Sequence, residues 1–201
     1  MVTKYLIERS GRPDRKPQRE EMDKKKKTKQ ICLGLLMVAL LVFLDQWTKA
    51  LAIKHLKGQE AYVIIKDVFV LRYLENRGAA FSSLTGKTVF LLALTGVIML
   101  GVLWIYVIVP ETKKWRALRM MLIAVMAGGL GNFIDRIRYH YVVDFLYFQL
   151  IDFPTFNVAD IYVTVAVASL FILFFFVYKD ADWEELMKNF PKWLQGKEKN
   201  Q

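Results

Sequence analysis

Four aspartates stand in or beside long apolar runs of this 201-residue chain: Asp45, Asp135, Asp144 and Asp160. Ionisable groups in such runs are costly and normally face a cavity or a partner. Asp45 has Lys49 at i+4, the helical spacing of an ion pair, which would be structural or substrate-positioning. Asn132, Asp135 and Arg136 fall at i, i+3 and i+4 and share one helix face, although Asp135 and Arg136, as neighbours, lie about 100° apart around it. Asp144, in Val142-Val143-Asp144-Phe145, and Asp160, in Phe156-Asn157-Val158-Ala159-Asp160, lack an obvious partner. Two carboxylates brought together in an apolar setting resist double ionisation and share one proton. An aspartic protease works this way: the ionised acid takes a proton from water while the protonated one polarises the scissile carbonyl. The plainer alternative is two separately satisfied acids, with Asp160 stabilised near a helix N-terminus.

Other chemistries have less to build on. Ser82 or Ser83 with Lys87 could form a Ser/Lys hydrolase, but Lys87 sits in a loop with little desolvation to make it a base. His55 and His140 are isolated and lack the spacing of zinc ligands, and Cys32 is the sole cysteine, so no metal, cofactor or internal disulfide is expected. The Gly128-Gly129-Leu130-Gly131 run removes side chains from one stretch, for close approach of a neighbouring helix or of a substrate backbone.

The elements that must carry these residues are membrane spans. A hydrophobic content of 55% beside 24% charged residues, with a mean hydropathy of +0.26, means that the apolar residues are concentrated in blocks. These blocks run from about Ile31 to Ile53, Thr88 to Val109, Ala117 to Ile137 and Phe156 to Tyr178, each near the ~20 residues that cross a bilayer core. At ~1.5 Å per residue, Asp45 lies about 21 Å from the start of span one, Asn132 and Asp135 about 22 and 27 Å up span three, and Asp160 about 6 Å into span four. All share one layer of a core ~30 Å thick, with Asp144 in the loop between.

Charge suggests the orientation. Residues 1–30 hold eleven Lys/Arg against five Asp/Glu, much of the net +10, and Lys113, Lys114 and Arg116 lie on the same side in a four-span chain. The positive-inside rule then places both termini in the cytoplasm, although the loop from Lys54 to Lys87 carries six Lys/Arg and pulls the other way. Lys24 to Lys27 read as an anchor against anionic headgroups, with no nucleic-acid partner. The expected domains are a flexible or partly helical basic tail (1–30), a four-span core (31–178) and a cytoplasmic C-terminal segment (179–201) bearing an interfacial helix. The fold class is an all-α membrane protein with four transmembrane helices. Its first outer loop has β-rich runs, Ala61–Ile65 and Val68–Tyr73, and its second, Arg138 to Thr155, lies along the interface.

Five segments in order resemble the lipoprotein signal peptidases, the type II signal peptidases of bacteria: Asp45-Gln46-Trp47-Thr48-Lys49; Asn76-Arg77-Gly78-Ala79-Ala80-Phe81-Ser82; Gly128 to Arg136; Val142 to Phe145; and Phe156 to Asp160. The resemblance covers about residues 31–178. It implies that Asp144 and Asp160 form the catalytic pair and that Asn76, Asn132, Arg136 and Asn157 line or support the site. It also implies a β-cradle near the substrate, holding Asn76 and Gly78. The implied substrate is a prolipoprotein whose lipobox cysteine carries a diacylglyceryl group, cut on the N-terminal side of that cysteine by a monomer at the outer face of the bacterial inner membrane, with membrane lipid around it. Ile161 stands where family members often carry a small polar residue. The rival class is a proton-coupled transporter or assembly factor, which would spread its acids through the membrane thickness.

Overall fold

The computed structural model of the chain describes residues 15–78 and 87–191. Ser82, Ser83 and the Ala79-Ala80-Phe81 part of the second motif fall outside the described residues, as do positions 1–14 of the basic tail and positions 192–201.

Among the described residues, four helices are long and apolar enough to cross a membrane, as the hydropathy blocks predict. They are α1 (Arg15–Leu56), α2 (Thr88–Ile108), α3 (Arg116–Tyr139) and α4 (Val158–Ile172, continued by a π turn, Leu173–Val177). The first helix starts well before its apolar run because Lys, Arg, Glu and Gln are good helix formers and carry it into water. Its part before Leu36 is a unit by itself, with Lys25 paired to Glu21 at 2.7 Å. Pro110 has no N–H to donate, and α2 ends two residues earlier.

The third helix is central. It buries Leu118, Leu122, Ile123, Met126, Ala127 and Gly128, whereas α2 buries only Leu91 and Tyr106 and α4 only Ala159 and Ala166. The outward faces are apolar, with Val89 81% and Phe176 77% exposed, as lipid contact requires. The glycine run serves helix packing. A Cβ on Gly128 would meet Ala159 O at 2.5 Å and Val163 Cγ2 at 2.6 Å, and one on Gly131 would collide with Asp45 Oδ2.

A small sheet caps the end of the bundle where α1 and α3 finish. Strands β1 (Tyr62–Ile65), β2 (Phe69–Asn76) and β3 (Val142–Phe148) pair antiparallel in the order β1-β2-β3. The first two strands were expected. The third, not read from the sequence as a strand, arises in the second outer loop: Val142–Phe148 lies along β2, placing Leu74 opposite Asp144 and Asn76 opposite Val142. After it, a 3-10 turn (Gln149–Ile151) leaves Leu150 and Ile151 each 68% exposed. A short helix, α5 (Asp180–Met187), follows α4.

Candidate active site

The polar side chains of this layer are delivered by α1, β2, α3, β3 and the start of α4, and hydrogen bonds join them. Asp144 sits on β3, whose residues from Val142 to Phe145 are buried. Its Oδ1 accepts from Asn157 Nδ2 at 2.7 Å and its Oδ2 from Asn76 Nδ2 at 2.9 Å. Asp160 is the third residue of α4. Its Oδ1 accepts from Asn132 Nδ2 at 2.8 Å and its Oδ2 from the Asn157 backbone N–H at 3.1 Å. Asn157 caps α4, and its own Oδ1 accepts from the Asp160 N–H at 3.0 Å. This reciprocal pair is a capping box, so the helix-terminus stabilisation of Asp160 and its proximity to Asp144 are both present.

Asn157 therefore bridges the two acids, touching Asp144 through its side-chain amide and Asp160 through its backbone. Its Nδ2 also donates to Asn132 Oδ1 at 3.1 Å, which closes a ring of Asn157, Asn132 and Asp160 with Asp144 joined to it at Asn157. The amide orientation of Asn132 is fixed by charge: Lys49 Nζ donates to the same Oδ1 at 2.9 Å, leaving Nδ2 to face Asp160. Lys49, 2% exposed, also pairs with Asp45 at 3.0 Å and Asp135 at 2.9 Å. The i, i+4 pair with Asp45 was expected. The bond to Asp135 crosses from α1 to α3 and takes that acid away from Arg136.

Asp45 and Asp135 also hold backbone. Asp45 Oδ1 accepts from the Ala159 N–H at 2.9 Å and so seats the first turn of α4; Asp135 Oδ2 accepts from the Val143 N–H at 3.0 Å and fixes β3 one residue before Asp144. Arg136 turns the other way, donating to Gly78 O at 3.1 Å and Asn132 O at 3.4 Å, while the Gly78 N–H donates to Asn76 Oδ1 at 3.0 Å. Asn76, Gly78, Asn132, Arg136, Asn157, Asp45, Lys49 and Asp135 thus form one network with the two acids. Gly128 stands apart from it and packs against α4.

Three members were not singled out from sequence. Gln46 Nε2 lies within hydrogen-bonding distance of Asp135 Oδ1 (2.9 Å), Gly131 O (3.1 Å) and Asp45 Oδ2 (3.2 Å). An amide next to Asp45 inside an apolar run was the available signal. The Val143 and Ala159 backbone N–H groups carry no signal in residue type.

Burial, and then the negative charge of Asp160, push the Asp144 carboxyl up to about 7, against partial relief from Asn76, Asn157 and Lys49. The network so holds two carboxyl groups close together, each with two donors, one of them tuned to exchange a proton near neutrality. That is an acid/base pair able to handle water and a carbonyl. Among the described residues, no group of three or more His, Cys, Asp and Glu side chains is arranged to hold a metal ion. A separate groove of about 990 Å³ lies between the end of α1 and the sheet, lined by Leu51, His55, Tyr62, Leu71 and Phe145, and holds neither acid.

Comparison with known proteins assigns most of the chain to one family. Positions 37–176 match the family model described as signal peptidase (SPase) II. A lipoprotein signal peptidase of Clostridium tetani is 39% identical over 156 residues, covering 76% of this chain and 97% of that protein. One from Caldanaerobacter subterraneus is 41% identical over 145 residues, covering 72% and 97%. A solved structure described as a bacterial membrane enzyme, at 2.3 Å resolution, superposes with a TM-score of 0.64 at 29% identity, over 72% of this chain and 88% of that one. A second, at 1.9 Å, gives 0.63 at 28% identity over 74% and 96%.

Proposed function

Because the chain belongs to the signal peptidase II family, we propose that Asp144 and Asp160 are the catalytic pair with which it, as a membrane protease, processes prolipoproteins. The observation that carries this assignment is the Asn157 bridge, which ties one carboxylate by its side chain at 2.7 Å and the other by its backbone at 3.1 Å. With one proton between them, the ionised member draws a proton from water, whose oxygen attacks the scissile carbonyl carbon. The protonated member gives its proton to the carbonyl oxygen. The tetrahedral diol then collapses, returning that proton and sending the other to the departing amine, so the pair regains its starting charge. The donors on each carboxylate cost no reorganisation during these steps.

The remaining residues act as supports. Asn76, Asn132 and Asn157 orient the pair; Lys49, Asp45 and Asp135 hold β3 and the start of α4 in register; and Arg136 fixes Gly78 beside Asn76. The substrate is a prolipoprotein with a diacylglyceryl-modified cysteine, cut on the N-terminal side of that cysteine. A lipidated peptide is met in the plane of the bilayer, and a site close to its boundary can take acyl chains and water together. The sheet end faces outward and both termini face the cytoplasm, in keeping with the basic residues at the other end. Family membership disfavours the transporter or assembly-factor reading.

The test is to change Asp144→Asn and Asp160→Asn separately and assay the purified, folded variants on a lipidated precursor. Each should lose cleavage by about 10²–10⁴-fold, the usual worth of a positioned acid or base. Full activity in either one removes it from the pair.

A further inference from the structure

Lys179 to Phe190 lies beyond residues 37–176 that match the family, yet it is bound to the end of the bundle away from the acids. There the short connection between α2 and α3 presents Lys114 and Trp115. Lys114 Nζ is gripped by two acids of α5, Asp182 and, at 3.0 Å, Glu185. Trp115, 0% exposed, has its ring 4.6 Å from that of Tyr178 and 6.3 Å from that of Trp183. The Tyr178 hydroxyl donates to Lys114 O at 3.3 Å, Asn189 Nδ2 donates to Ile108 O at 3.1 Å, and the Phe190 ring meets Trp104 at 5.2 Å.

The helix that these contacts restrain buries few of its own side chains. Only Ala159 and Ala166 of α4 are buried, and Phe174 to Val177 are more than half exposed. The same stretch is a π turn, a form frequent at functional sites. Among the described residues, Trp115 Nε1, whose ring lies against Tyr178 and Trp183, is buried with no hydrogen-bond partner. Polar groups sealed without partners work against closure, because water would satisfy them if the segment lifted. The Lys114 pairs are partly exposed and screened by salt, so their hold is adjustable.

We propose that Lys179–Phe190 is a reversible latch, pinning the π-turned end of the α4 helix to the α2–α3 connection through the Lys114 fork and the Trp115 stack. Its release lets water reach Trp115 Nε1 and frees that end of the helix carrying Asp160. The latch stands independently of the catalytic assignment.

Charge reversal tests it in the full chain in nanodiscs. Spin labels at Lys113→Cys and Phe176→Cys, in a Cys32→Ser background, report the distance across the latch, and hydrogen exchange reports α5. Lys114→Glu should broaden the distance distribution and speed exchange at 182–190 by about tenfold, while the sheet amides of Phe145, Leu146 and Phe156 keep their protection. Adding Asp182→Lys with Glu185→Lys should restore both readouts. An unchanged distribution, a failure of the swap to restore it, or equal loss of protection in the sheet would each overturn the latch.

Discussion

All four carboxylate oxygens of Asp144 and Asp160 accept a hydrogen bond, and every donor is an amide rather than a cation. Amides orient the pair without neutralising it, so desolvation and mutual repulsion are left to raise the Asp144 carboxyl to about 7. A raised carboxyl keeps its proton below that value and loses it above, so kcat/KM for a lipidated precursor should fall as pH rises through about 7. Stability follows the same sign. The folded state binds a proton that the unfolded state, titrating near 3.8, has already released, so stability from protonated Asp144 declines between about pH 4 and 7. A thermal melt series should show that slope in the parent chain and lose it in Asp144→Asn. The two acids were legible in the sequence because each stood unpaired in an apolar run. Gln46 was overlooked because an uncharged amide in a span does not demand a partner as an acid does.

At the scale of elements, Lys49 joins three of them. It binds Asp45 on its own helix and Asp135 on α3, and through Asp135 it reaches the Val143 N–H that starts the buried part of β3. Replacing it by Met leaves two buried acids sharing no cation, a defect that typically costs about 3–5 kcal/mol. Chemical denaturation in detergent should register a loss of that size, and activity should fall with it as Asn132 loses the charge that orients its amide. The Asp45–Lys49 half of this hub could be read from helical spacing, which encodes neighbours within one helix. The Lys49–Asp135 half could not, since no local period reports a contact between α1 and α3. The third strand escaped for a related reason. Val142–Phe148 is buried on both faces over its first four residues, so it lacks the alternation that marks a half-buried strand, and its partner β2 is distant in sequence.

Across the whole molecule, four spans with fixed rise per residue were enough to place Asp45, Asn132, Asp135 and Asp160 in a single layer, whichever side is outside. Orientation rests on charge and can be measured. In a Cys32→Ser background, a membrane-impermeant maleimide applied to intact cells should label Gln59→Cys, beside the sheet, and spare Lys113→Cys at the other end. The reverse pattern would invert the proposed topology. One further property follows from the tight connection between α3 and β3, where His140 takes a left-handed conformation (φ 64°) and Val142 begins the strand. Strand side chains alternate, so one residue inserted at Tyr141 would turn Asp144 away from Asn157 and present an apolar neighbour in its place. Such a chain would keep every reactive side chain and its four spans while losing the chemistry, because the spacing of this junction is itself part of the enzyme.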